Sequence, residues 1–586
     1  MNAAHLRRPP VLLTQHFLRQ FLENDLISPD ADRSQLLAVV GATVVSLTLF
    51  ISMFLSSGYV IGRFMPGEAA VATLSDKFFY LSLAMIATAL LAASQWDALA
   101  VDPRDAAILE PLPVKASTVR RAKLAAVAIL GGAVAILVNG FPSLIFPWLV
   151  SFNFHQLKVM TLFRLMLTHF AFTVAAAAFG YMAVVALRET TAAVLGTRWF
   201  ARVSPWVQGA LIVALGSCLL LLPPAAVRVG QRGFDGWRGM APPTWFLGAY
   251  EVAAGGALAD LPRTKMSPRE ANRDAVSSAL YQIRRQQFPL LARRAAVAFA
   301  LIFMLAWIAY LWNGHRRPAL AQLPPPAFRR RWPTAHRVAN TTLVRDAAAQ
   351  AGFYFALAVM WRSNTHRLTL ACAAAAGFAM AVLTLSNVSV LQDSGASARL
   401  LAVQPLLYGA LLIGFRHLIR VPAELRANWG FQLAWRNRDR AFVAGVKRAA
   451  IVALVLPALA VVMPLYVFVL GPTLALAHLA LGLAGAVVLL EFLMVSYDKV
   501  PFTCTYLPSE NMKALAPIYA GLFIAGASLF ARLEHDALLG DGALRVVLAL
   551  GILFAALRLA SLRRARPSVV EFDEVPATYR GLGLHI

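Results

Sequence analysis

The chain has 586 residues, 59% of them hydrophobic and 14% charged, with a mean hydropathy of +0.64 and a formal net charge of +25. Soluble domains are about 45–50% apolar and about 25% charged, so this composition excludes a string of soluble domains and makes the bilayer the main solvent. The positive charge flanks apolar runs and forms no soluble basic patch, which argues against nucleic acid as a partner.

In chain order, residues 1–34 come first. The stretch "LLTQHFLRQFLENDL" puts Leu13, Phe17 and Phe21 on one helical face with Leu18, Leu22 and Leu26 beside them, and Gln15, Arg19 and Glu23 opposite. That pattern predicts an amphipathic helix in the membrane interface. No cleavable signal peptide is expected, because the first apolar run starts near Gln35, well beyond Arg7–Arg8, and is too long for an h-region.

A spanning helix needs about 20 mostly apolar residues. On that criterion the sequence predicts an all-α polytopic bundle of about twelve spans. Residues 35–313 hold Gln35–Gly62, Phe78–Asp97, Leu124–Leu149, Leu165–Leu187, Val203–Leu222 and Ala295–Asn313, with an outer segment, 225–294, before the last. Residues 314–366 read as a cytoplasmic linker carrying "QLPPPAF" and Arg329–Arg331, a positive-inside anchor that also suits anionic lipid, followed by a second interfacial helix. Residues 367–561 hold Leu368–Val388, Leu400–Ile419, Ala449–Leu470, Thr473–Val495, Leu515–Phe530 and Ala543–Leu559, and 562–586 form a tail. The paired interfacial helices suggest two related halves, although no identity between them is visible.

Lys and Arg stay preferentially on the cytoplasmic side. With the N-terminus inside, the cytoplasmic loops carry Arg120, Arg121 and Lys123, then Arg188, Arg198 and Arg202, then Arg316 and Arg317, then Arg416 and Arg420, and finally Arg563 and Arg564. Both termini are therefore expected in the cytoplasm of a cell, or inner, membrane. The outer segment is long enough to cross despite its arginines. Within it "SPRE" matches a capping box with Ser267 as N-cap and Glu270 reaching back.

The loop between the second and third spans is unusually elaborate. Asp102 caps a short helix with Pro103 in its first turn and Asp105 behind, Pro111 stops it, "LPV" is an extended break, and Ser117 caps the next helix. Arg120, Arg121 and Lys123 are then expected to anchor the third span at the headgroups. The result is a charged, solvent-facing knob.

Two spans, a loop of the form acidic–apolar–Leu-Pro–basic on Asp105, Leu109, Leu112, Pro113 and Lys123, four more spans and a large outer segment before the last resemble the type-two ABC exporter permeases. The interfacial helix before the first span belongs to the same likeness. In that family the short helix docks into a separate ATPase, so the resemblance implies a coupling loop here comprising Asp102, Asp105, Leu109, Glu110, Leu112, Pro113, Arg120, Arg121 and Lys123. The likeness is good over the first half and thin over the second. There the corresponding loop has Glu424 and Arg426 but lacks the Leu-Pro turn. The stretch "DKVPFTCTYLPSEN", with Asp498, Lys499, Pro501 and Pro508, reads as a rigid loop and a second contact for the ATPase.

No Walker A sequence occurs, so the chain itself is expected to be no enzyme, with ATP entering only through cytoplasmic ABC-type ATPase subunits. No cofactor or metal site is expected: Cys218, Cys372 and Cys504 are far apart, and no H-E-x-x-H or Ser–Lys arrangement appears at matching depth. His169 is expected to bond a neighbouring carbonyl within the fourth span, and Glu491 to pair with a nearby Lys or Arg. The expectation is a permease moving an unknown substrate in the bilayer. Its rival is an ATPase-independent membrane scaffold or assembly protein of the same fold.

Overall fold

A computed structural model describes residues 9–22, 33–61, 64, 66–96, 99, 108–109, 111–152, 158–232, 234, 236–255, 268–316, 333–386, 397–434, 439–504, 516–540, 542–564 and 569–570. Among these residues the chain is helical almost throughout and has no strand, only an isolated bridge between Lys499 and Val569. Among the described residues ten helices are long and apolar enough to cross a membrane, and Val44–Val60 is a shorter apolar one. The protein is an all-α polytopic membrane bundle. It divides into two compact units, Met1–Pro326 and Ala327–Ile586.

Unit 1 contains α1 (Pro9–Leu22), α2 (Arg33–Val60), α3 (Pro66–Ser94), α4 (Ala116–Ser151), α5 (Val159–Leu220), α6 (Leu222–Arg232), α7 (Pro242–Ala254), α8 (Pro268–Arg285) and α9 (Phe288–Arg316). Two expected spans share α5, as arms Val159–Gly196 and Trp199–Leu220. They meet at Gly196, whose φ of 65° and ψ of 176° belong to a region essentially reserved for glycine. The chain reverses there. Arg188 before the turn donates to the Trp96 carbonyl at 2.7 Å, and Ser204 after it accepts from the Trp96 indole at 2.7 Å. Gln208 then donates to the Ala93 carbonyl at 3.0 Å, so the second arm runs back along α3.

Aromatic rings fill the core of unit 1, among them Phe78, Phe79, Tyr80, Phe146, Phe246, Tyr250 and Phe288. The expected outer segment supplies three of these rings. Its α7 buries Phe246, Leu247, Gly248, Tyr250 and Glu251 against α3, α5 and α9, so this helix belongs to the bundle core.

Unit 2 contains α10 (Pro333–Val338), α11 (Ala347–Arg362), α12 (Asn364–Ser386), α13 (Ala398–Leu418), α14 (Trp429–Ala434), α15 (Asp439–Ala450), α16 (Leu456–Leu470), α17 (Pro472–Met494), α18 (Ala516–Leu539) and α19 (Ala543–Arg564). Asp346 caps α11 by accepting from the Ala348 and Ala349 amides at 2.8 and 3.2 Å. A π turn, Ile451–Val455, joins α15 to α16 just before Pro457, which has no N–H to continue an α ladder. On the facing surfaces of α11 and α15, a methyl at Gly352 would overlap the Phe442 carbonyl and one at Gly445 the Ala349 carbonyl. The two backbones touch, as helices in lipid do where small residues meet.

Each of the twelve expected spans falls on a helix. The first lies on α2, where Val44–Val60 is the apolar part. The eleventh lies on α18, which carries Arg532, Glu534 and Asp536 in its later turns and is not among the ten.

Candidate functional site

The knob between α3 and α4 has a fixed base and an exposed tip. The Leu112 amide donates to the Leu109 carbonyl at 3.2 Å, closing a turn in which Pro111, Leu112 and Pro113 face solvent. Leu109 packs with Leu13, Phe17, Val119, Ala122 and Ala126, so the apolar face of α1 is seated on the start of α4. Helix α4 begins two residues earlier than expected. Lys115 holds the extended cap position without a side-chain cap bond, and Ser117 lies inside the first turn.

A second correction concerns Lys123. It is 1% exposed, with its ammonium 4.6 Å from the centre of the Phe17 ring, an arrangement that stabilises a cation beneath protein. It does not reach the headgroups, because α1 covers it. Arg121 is exposed and Arg120 half-buried, and the Arg120 carbonyl accepts from the Tyr310 hydroxyl at 3.2 Å. Asp102, Asp105 and Glu110 lie outside the described residues.

Behind the knob stands Glu189, 1% exposed at the end of the first arm of α5. Arg188 pairs with it, and Asn313 of α9 donates to its carboxylate at 2.7 Å and its carbonyl at 2.8 Å. Lys123, Glu189 and Tyr310 line one small cavity of about 20 Å³. The third, fourth and sixth spans of unit 1 thus meet around one carboxylate. Unit 2 repeats the arrangement. Lys447 on its third span donates to Glu491 on its fourth at 2.6 Å, Arg558 on its sixth stands 3.7 Å away, and α11 packs on α15 as α1 does on α4.

The second loop is built differently. Phe502 donates its amide to the Ile419 carbonyl at 2.8 Å and accepts from the Ala423 amide at 2.9 Å, while Asn428 donates to the Thr503 carbonyl. Pro501, Phe502 and Thr503 are buried as a result, so Pro501, expected as a contact, is interior. Cys504 donates its thiol to the Val569 carbonyl at 3.0 Å. Burial pushes the Tyr497 phenol up, which keeps it protonated as the donor to the Ile419 carbonyl at 2.9 Å. Glu424 is exposed, Arg426 sits in the short 3-10 turn Leu425–Ala427, and Asp498 and Lys499 line a larger cavity. Pro508 lies outside the described residues.

No protein-family model, curated protein or solved structure matches the chain.

His169 makes no carbonyl bond. Neither ring nitrogen has a hydrogen-bond partner, and the ring is boxed by Tyr80, Phe146 and Tyr250 at 5.1–5.8 Å between centroids. Nearby, Lys77 of α3 pairs with Glu251 of α7, whose other oxygen accepts from the Tyr281 hydroxyl at 2.7 Å. Sequence reasoning passed over Lys77, Glu189 and Glu251. Each is an ionisable residue at or near the end of an apolar run, a placement that normally marks a buried partner. The cysteines are free, and no three His, Cys, Asp or Glu side chains among the described residues cluster as metal ligands. The cap residue Ser267 lies outside the described residues, although α8 begins at Pro268 as the box predicts.

Proposed function

We propose that the chain is the membrane-spanning permease subunit of an ABC-type exporter, set in a cell inner membrane with both termini cytoplasmic. Separate ATPase subunits would supply hydrolysis. The observation that carries this reading is the knob itself. Leu112 and Pro113 form a rigid, exposed, partly apolar tip, and its base is fixed by Leu109 against Phe17 and α4. A load on that tip passes into α4 and the joint around Glu189, which ties the third, fourth and sixth spans together. Proline sets the shape of the tip and helical hydrogen bonds transmit the load.

Two further features support the reading. The segment between the fifth and sixth spans folds back on the bundle through Glu251, Tyr250 and Phe246. The joint of unit 1 recurs in unit 2, as two fused permease halves require. In unit 2 the described Ile419–Asn428 loop is zipped to residues 500–504, a different build from the free turn of unit 1.

The test is the double substitution Leu112→Ala/Pro113→Ala. It touches no span, so the protein should insert normally while stimulation of its ATPase partner is lost. Unaltered stimulation would reduce the knob to an anchor and favour the scaffold reading.

A further inference from the structure

A cavity of about 550 Å³ opens at the end of unit 2 where α15, α17 and α19 converge. Among the described residues its wall carries Arg440, Lys447, Arg558, Arg563 and Arg564, with Asp498 as the lining carboxylate. Glu491 behind the wall holds Lys447 at 2.6 Å and stands 3.7 Å from Arg558. With Lys499 set aside, five cations face two carboxylates among the described residues, an excess of three positive charges. Like charges gathered around one concavity repel one another, and an anion placed among them relieves that repulsion.

The equivalent place in unit 1 shows that this opening is not demanded by the fold. There the start of the third span, the end of the fourth and the sixth enclose only about 20 Å³, closed by Leu99, Leu124, Val127 and Tyr310. Where unit 1 has an apolar filling, unit 2 has space and arginine.

The surroundings identify the anion. Helix α19 has no buried residue, and Leu559 and Leu562 beside the cavity are exposed, as is Phe492 on α17. These side chains suit acyl chains. The ligand that satisfies both surfaces has a phosphate for the cavity and a hydrocarbon body for the adjoining helix faces. A volume of 300–1,000 Å³ is ordinary for a small-ligand site and leaves room for a headgroup. We propose that this cavity binds the headgroup of an acidic phospholipid, with the acyl chains lying along α17 and α19. The assignment stands apart from the permease reading and survives its failure.

The experiment uses the full-length protein in a nonionic detergent, titrated with phosphatidylglycerol or phosphatidylcholine of identical chains and read by native mass spectrometry. Phosphatidylglycerol should saturate near one tightly held molecule per chain with at least a tenfold preference. Arg563→Gln/Arg564→Gln, both exposed at the end of α19, should weaken it roughly ten- to thirtyfold, since each basic group near an anionic lipid surface is worth about a factor of five. Arg440→Gln at the opposite wall provides an independent second variant with a smaller loss. The control Arg532→Gln/Arg545→Gln removes the same charge at the other end of α18 and α19 and should leave binding unchanged.

Equal affinity for phosphatidylcholine, or an equal loss in the control, would overturn the proposal. So would competition by glycerol 3-phosphate at the affinity of the lipid, because the cavity would then serve a soluble phosphate. Residues 571–574 include Glu571, Asp573 and Glu574. Lipid binding that appears only after truncation behind Val570 would assign the cavity to the chain's own acidic segment instead.

Discussion

Lys447 donates to Glu491 at 2.6 Å with both side chains only 10% exposed, and the pair joins the third span of unit 2 to its fourth. Removing Lys447 leaves the desolvated Glu491 with only the exposed Arg558, 3.7 Å away, as counter-charge. Lys447→Met should therefore cost about 3–5 kcal/mol, whereas Lys447→Met/Glu491→Leu should come back to within about 1 kcal/mol of wild type. A double-mutant cycle by thermal unfolding in detergent measures both. A single substitution costing less than about 1 kcal/mol would show that the pair is solvated.

The Lys77–Glu251–Tyr281 chain fastens α7 and α8 to α3. Tyr281→Phe deletes one hydrogen bond to a charged group and should cost about 1.5–3 kcal/mol. Glu251→Gln leaves Lys77 buried without its counter-charge and should cost more, about 3–5 kcal/mol. Trypsin cleavage at Arg269 and Arg273 of α8 reports the detachment, and both variants should be cut faster than wild type.

Glycine serves two different purposes in this chain. At Gly196 no atom lies within 4 Å of where a methyl would sit, so Gly196→Ala should lose about 1–3 kcal/mol through backbone strain alone. Gly445→Ala should lose about 1–3 kcal/mol by overpacking α15 against α11. Gly551→Ala, in open space on α19, should lose nothing and gain up to about 1 kcal/mol. Comparing the three melting temperatures separates strain, clash and propensity.

A reporter fused after Arg331 should be cytoplasmic and one inserted near Arg263 external, because loops rich in Lys and Arg alternate with poorer ones. Both reporters on one side of the membrane would mean that the number of spans between them is wrong.

The fold class was legible because hydrophobicity over about 20 residues is a local property. The exposed turn at Pro111–Pro113 was legible for the same reason, since two prolines punctuate a short stretch. The burial of Lys123 was not, because it depends on Phe17, more than a hundred residues earlier in the chain, covering it. Arg198 and Arg202 suggested an ordinary loop where the chain turns on Gly196 alone, since a left-handed φ leaves no trace in hydropathy. Pro501 read as surface because its loop is polar in composition, yet backbone pairing with Ile419 and Ala423 buries it. The likeness of the two units lies in a lysine and a glutamate placed together at the joint of their third and fourth spans, Lys123 with Glu189 lining one cavity and Lys447 paired with Glu491. Such convergence is invisible to a comparison of residue strings.

The most direct measurement of the central proposal is co-purification. A candidate ABC-type ATPase would be co-expressed with the chain, the chain captured from solubilised membranes, and ATP hydrolysis measured in reconstituted vesicles. The account predicts a stable complex whose hydrolysis exceeds that of the ATPase alone and falls to the unstimulated level with Leu112→Ala/Pro113→Ala. Absence of the ATPase from the captured material, with hydrolysis indifferent to this chain, would contradict it and leave a membrane scaffold.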